Sequence, residues 1–176
     1  MPARIRYVHT NIVARDWRSL AGFYTRVFGC TLKPPERNLR GDWLDGLTAL
    51  RNAHVRGVHL RLPGYGSAGP TLEIFEYSPQ KDARPSGINQ PGFAHIAFSV
   101  PDVQKTLRNV KRSGGSCVGT LVAASIEGVG MIDVVYARDP EGNIIELQKW
   151  ERGTGRKKGT RGRREPDLTS GREAPR

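Results

Sequence analysis

Gly92-Phe93-Ala94-His95-Ile96-Ala97-Phe98-Ser99-Val100-Pro101-Asp102 repeats the design of a stretch near the start of the chain, Tyr7-Val8-His9-Thr10-Asn11-Ile12-Val13-Ala14-Arg15-Asp16. In both, a histidine stands within an apolar run of strand-forming residues, and an aspartate comes seven residues later. Superposing His9 on His95 also superposes Asp16 on Asp102 and Gly29 on Gly115. An aspartate is a good helix N-cap and a glycine a good terminator, so each stretch reads as strand, cap, helix and stop. Trp17, Leu20, Phe23, Tyr24 and Val27 give the first helix one apolar face, reaching about Phe28; Val103, Leu107 and Val110 do the same for the second.

The segments after the two helices are matched as well. Arg56 to Leu62 and Thr71 to Tyr77 read as strands joined by the turn Pro63–Pro70, which predicts a hairpin. Segments near 117–124 and 130–137 read as strands, and the turn Asp139-Pro140-Glu141-Gly142-Asn143 leads into a last strand from Ile144 to Trp150. The join between halves is Ser78 to Gly92, which carries three prolines and two glycines. The expectation is an α+β fold of two tandem βαβββ units, over about residues 5–77 and 93–150.

Each histidine is answered by a later strand glutamate: Glu73 in Thr71-Leu72-Glu73-Ile74-Phe75, and Glu146 in Asn143-Ile144-Ile145-Glu146-Leu147. The His-to-Glu interval is 64 residues in the first half and 51 in the second. The difference falls on the irregular 30–55 region, broken by Pro34-Pro35 and Gly41, which is a candidate pocket wall. Because strand side chains alternate, His9 shares a face with Tyr7, Asn11 and Val13. His95 shares one with Phe93, Ala97 and Ser99, Glu73 with Thr71 and Phe75, and Glu146 with Ile144 and Gln148. One sheet face then packs on the helices while the other, mixed face holds a site. A carboxylate within an apolar strand needs compensation, and a divalent metal held by neutral imidazoles supplies it. His9, Glu73, His95 and Glu146 are the candidate ligands. His54, in an irregular stretch, and His59, with no counterpart in the second half, are set aside.

Composition bounds the rest. The 176 residues carry a net charge of +11 and only 37% hydrophobic residues, but both biases are concentrated at one end. Residues 151–176 hold nine Lys/Arg, four Asp/Glu, no aromatic residue and one large aliphatic, Leu168. Such a segment cannot bury enough apolar surface to offset its ordering entropy, so a basic disordered tail is expected after a domain spanning 1–150. No aromatics interleave its cations for stacking on bases, so nucleic acid is not the expected partner. Cys30 and Cys117 lack motif spacing and read as reduced thiols. With no apolar signal region at the start and no stretch near the ~20 apolar residues of a membrane span, the expectation is a soluble, cytoplasmic protein.

These residues resemble the vicinal oxygen chelate superfamily, which includes glyoxalase I, methylmalonyl-CoA epimerase, extradiol dioxygenases, fosfomycin-resistance enzymes and bleomycin-resistance proteins. The resemblance covers about residues 5–150. It rests on His9-Thr10-Asn11-Ile12-Val13 with Asp16, on Phe23-Tyr24 and Phe28-Gly29, and on Gly69-Pro70-Thr71-Leu72-Glu73-Ile74. Gly92-Phe93-Ala94-His95-Ile96-Ala97-Phe98 with Asp102, and Asp139-Pro140-Glu141-Gly142-Asn143 before Glu146, complete it. It implies a curved, partly open mixed β-barrel with flanking helices, a bound divalent ion (Ni, Zn, Co, Mn or Fe), a small-molecule substrate and a homodimer.

The resemblance also ranks the chemistries. All four ligand positions are filled, which leans toward lyases and isomerases of the glyoxalase and epimerase type. There, an ion with two open positions chelates neighbouring oxygens of an α-oxygenated carbonyl compound or its thioester, stabilising an enediolate or enolate. Glu146 or Glu73 then serves as the proton-transfer base, with Glu146 slightly favoured. The alternatives are an extradiol-type Fe(II) dioxygenase, or a non-enzymatic protein that sequesters a ligand. Tyr7, Asn11, Trp43, Phe75 and Gln148 are candidate pocket residues, and Arg84 and Arg138 candidate anion binders.

Overall fold

The computed structural model describes residues 5–82 and 87–151. The expected tail from residue 152 onward, and Arg84, lie outside them. Among the described residues, eleven elements succeed one another: β1 (His9–Val13), α1 (Trp17–Phe28), β2 (Thr31–Leu39), α2 (Asp42–Thr48), β3 (His54–Arg61), β4 (Thr71–Ser78), β5 (His95–Ser99), α3 (Val103–Arg112), β6 (Ser116–Ile126), β7 (Gly130–Arg138) and β8 (Ile144–Trp150).

The strands form two four-stranded sheets of the same design, ordered β1-β4-β3-β2 and β5-β8-β7-β6. In each, the first strand lies parallel to the last, and the remaining pairs are antiparallel. The tandem βαβββ architecture is therefore present, as two open sheets with no closed barrel.

The caps behave as their residue types dictate. The Asp16 carboxylate accepts from the backbone N–H groups of Arg18 and Ser19, both at 3.0 Å, satisfying two donors that the first turn leaves open. Asp102 accepts from Lys105 N–H at 2.8 Å. Gly29 ends α1 at φ 72°, a left-handed conformation that costs a glycine nothing.

The irregular 30–55 region is more ordered than expected. It holds β2 and the short α2. The prolines do not end β2 because it is an edge strand, and its ladder to β3 shifts register between Lys33 and Arg37, where they sit. The helix α2 brings Leu44 against Ala53 and Val55, with Leu50, Phe75 and Tyr77 alongside, covering one end of the first sheet's inner face.

One face of each sheet joins a single core with α1 and α3. It takes Val58, Leu60, Leu72 and Ile74 from the first half, and Val135, Ala137, Ile145 and Leu147 from the second. Fully buried Phe23 and Tyr24 lie at its centre, and Phe28 stacks on Phe98 of β5 with ring centroids 4.1 Å apart. Burying an aromatic or large aliphatic side chain contributes roughly 1.5–3 kcal/mol, so this shared core binds the halves together. Two polar links reinforce it. The Tyr24 hydroxyl donates to Asp139 at 3.0 Å, and Glu141 Oε1 accepts from the N–H groups of Arg15 and Asp16 at 2.9 and 3.0 Å. With the helix-side faces used internally, the inner faces stay open: Tyr7, Val13 and Phe93 are all more than half exposed.

Candidate metal and substrate site

Strand register explains which of the four expected ligands meet. His9 is opposite Thr71 in the parallel β1–β4 pair, and His95 is opposite Ile144 in β5–β8. Each histidine therefore lies two positions from its glutamate on the same face. His9 Nε2 is 3.3 Å from Glu73 Oε2, and His95 Nε2 is 3.3 Å from Glu146 Oε2. Equal pairs stand at equivalent positions of the two halves.

The structure adds two residues to this set. His59, set aside on sequence, is directly opposite Glu73 in the β3–β4 ladder, with Nε2 2.9 Å from Oε1. Tyr136 occupies the corresponding rung opposite Glu146. His59 thus has a counterpart in the second half, and it is a tyrosine. Asn11 also donates to Glu73 Oε2, at 3.3 Å. Glu73, buried in its strand, therefore has two imidazoles and an amide against it; Glu146 has one imidazole, with Tyr136 as its cross-strand neighbour.

His59 Nδ1 shares a hydrogen bond with the Thr71 hydroxyl at 3.1 Å, which leaves Nε2 facing Glu73. Burial lowers the His59 pKa below its ordinary value; Glu73 opposes this, while Arg37, His9 and Lys33 add to it. Burial also raises the Tyr136 pKa, as does the neighbouring Glu146 carboxylate. His54 stays apart, donating from Nε2 to Asn38 Oδ1 at 2.7 Å at the sheet's far end.

The four expected ligands are present as two pairs on two sheets. Among the described residues, no three His, Cys, Asp or Glu side chains converge into one cage, and His9 and His59 approach different oxygens of Glu73. The donor chemistry nevertheless fits a divalent ion. Two neighbouring ligands on an octahedral ion with bonds of about 2.1 Å are about 3 Å apart, close to the separation within each pair. In addition, Nδ1 of His95 is buried without a hydrogen-bond partner.

A cavity of about 570 Å³ adjoins His95 and Asn11, with Val13, Leu50, Tyr77 and Phe93 in its wall. Leu50 brings the 30–55 region to the pocket, as its extra length suggested. Of the other pocket candidates, Trp43 is exposed on α2, Phe75 packs beneath it, and Gln148 lines a second cavity of about 600 Å³. Arg138 donates to Gly142 O at 2.6 Å, bracing the turn before β8.

This doubled βαβββ fold, with a His–Glu pair on the inner face of each half, defines a class that sequence comparison identifies directly. Residues 6–147 match the Glyoxalase/Bleomycin resistance protein/Dioxygenase superfamily, and the chain belongs to it. Probable lactoylglutathione lyases of Vibrio parahaemolyticus and Vibrio cholerae are 28% and 26% identical over 144 residues, covering 81% of this chain and 88% of each relative. A glyoxalase family protein from Bacillus cereus superposes with a TM-score of 0.65 at 21% identity, covering 84% of this chain and 93% of that one. One from Enterococcus faecalis gives 0.53 at 23%, covering 82% and 96%. The fold is shared with both.

Proposed function

We propose that this chain is a divalent-metal-dependent lyase or isomerase of the glyoxalase type, acting at the carbon beside a chelatable carbonyl. The observation that carries this reading is the equivalence of His9–Glu73 and His95–Glu146, matched in register, atoms and separation. His9, Glu73, His95 and Glu146 would hold the ion. When bound, it would polarise two adjacent substrate oxygens and make the neighbouring C–H acidic.

The protein's own residues supply the proton transfer, and their unequal bracing divides the work. Glu73, held on both oxygens, is the fixed carboxylate. Glu146 has fewer partners and is the base that takes and returns the proton. Tyr136, its cross-strand neighbour, positions it. The open inner faces, each carrying half of the ligand set, support a homodimer in which a second copy covers each face and completes the set.

The names of the vibrio relatives make the hemithioacetal of glutathione and methylglyoxal the first substrate to assay, with formation of S-lactoylglutathione as the product. Full-length protein loaded with Ni, Zn, Co or Mn should exchange the substrate's α-proton with D₂O. Glu146→Gln should abolish that exchange. A chain that binds none of these ions and still takes up a carbonyl ligand would instead be a sequestering protein.

A further inference from the structure

The two inner faces carry opposite chemistry at matching positions. On the first sheet, β2 places Lys33 opposite His59 and Arg37 opposite Gly57, on either side of the register shift. On the second, β6 places Val118 opposite Tyr136 and Val122 opposite Val134, on either side of a shift at the same place. His59 and Tyr136 are equivalent rungs, so Lys33 and Arg37 stand where the other half has two valines.

Arg61 joins them. It is two residues beyond His59 on the same face of β3, opposite Thr31. All three cations are half-buried.

Among the described residues, no carboxylate is paired with these three cations. Arg37 donates to Pro35 O at 2.8 Å and Arg61 to Leu32 O at 3.3 Å, both backbone carbonyls. The neighbouring acids are engaged elsewhere: Glu36 with Arg18, Glu76 with Arg56, and Glu73 with its two histidines. Nε of Arg61 is buried with no hydrogen-bond partner. A buried guanidinium N–H left open is costly, and an incoming oxyanion would satisfy it.

We infer that Lys33, Arg37 and Arg61 form a subsite for an anionic arm of the substrate, a carboxylate or phosphate group attached to the chelating carbonyl unit. The inference rests on the reading of the adjacent His–Glu pairs as the metal site. It adds the substrate's charge and the wall on which that charge sits. Val118 and Val122 leave the corresponding wall of the other half for an apolar portion.

Calorimetry on Zn-loaded full-length protein tests this with three hydroxamates, which chelate through two adjacent oxygens. Acetohydroxamate has no charged arm, succinate monohydroxamate ends in a carboxylate, and phosphonoacetohydroxamate ends in a phosphonate. At least one charged probe should bind about tenfold or more tightly than acetohydroxamate, since a charge-assisted hydrogen bond contributes enough for that factor. The better charged probe identifies the oxyanion. Lys33→Gln, Arg37→Gln and Arg61→Gln should each reduce the preference, and the triple variant should erase it. Equal binding of all three probes, or a preference that survives in the triple variant, would overturn the inference. A metal-free arm separates this from failure of the metal reading. Succinate and inorganic phosphate, titrated into metal-free protein by NMR, should shift β2 and β3 amides in the wild type and not in the triple variant. Those shifts in a protein that refuses Zn would leave the anion subsite standing and remove the metal reading.

Discussion

The imidazole of His59 lies 2.9 Å from Glu73 across a single rung of the β3–β4 hairpin. This contact fixes a carboxylate that His9 approaches on its other oxygen. Groups that orient a metal ligand typically govern affinity by about 10- to 100-fold. His59→Ala is therefore expected to weaken Zn or Ni binding by about that factor, measured by competition against a chromogenic chelator. Tyr136→Phe removes the hydroxyl of the residue opposite Glu146 and should act mainly on proton exchange, leaving metal affinity within a few-fold.

The Tyr24–Asp139 bond should dominate the pH dependence of stability. Burial raises the Asp139 pKa, although its bonds to Asn143, Tyr24 and Glu141 oppose this. The folded state then holds a proton that the unfolded chain has released, so this carboxyl's contribution to stability falls as pH rises from the ordinary aspartate range to the raised value. In Asp139→Asn the dependence is absent, so wild-type stability relative to the variant should be greatest in acid and shrink with rising pH. Tyr24 is pushed well above 10, by burial first and then by Asp139. It gives a second loss as pH climbs past the ordinary tyrosine value, which Tyr24→Phe removes. That variant should also cost about 1–3 kcal/mol near neutrality, because Asp139 Oδ2 keeps only its bond from Asn143. Urea unfolding across the pH range measures all three effects.

Helix capping separates the two halves. Asp16 satisfies two N–H groups and Asp102 one. Each alanine substitution should cost on the order of 1 kcal/mol, with Asp16→Ala the larger loss, read from thermal melts by circular dichroism.

Both cysteines are free, and they should react very differently. Burial pushes the Cys30 thiol up to about 11, and it has no exposed surface. Cys117 is half-buried near the start of β6, bonding to Gly119 O at 3.0 Å. A disulfide reagent should modify one thiol per folded chain, at Cys117, and the second only on unfolding.

Most of the fold was legible in the sequence because its signals are local. The paired aspartates, the helix faces and the Gly29 stop act within a few residues and appear as expected, while α3 ends at Ser113, just before Gly114-Gly115. The two His–Glu pairs came from alternation, since parity alone puts each member on the inner face. His59 and Tyr136 needed strand register. Tyr136 and Glu146 are equidistant from Glu141, at the centre of a five-residue turn, so that pairing could have been found. His59 and Glu73 are equidistant from Gly66, but the eight-residue turn Pro63–Pro70 has its midpoint between Gly66 and Ser67. Half a residue decides whether His59 meets Glu73 or Ile74, and a slip of one residue reverses every face. Lys33 and Arg37 were hidden for another reason. Pro34-Pro35 reads as a break, and only an edge strand with a shifted ladder carries cations past it in register.

The parallel pairing of β1 with β4 and of β5 with β8 has a kinetic consequence. The hairpins β3–β4, β6–β7 and β7–β8 join neighbours in the chain and can zip from their turns. His9 and Glu73 are 64 residues apart, and His95 and Glu146 are 51, so each pair waits for the longest closure in its half. The scaffold would then assemble before the candidate site residues are brought together. Substitutions in β1 and β5 are expected to accelerate unfolding while leaving the refolding rate nearly unchanged.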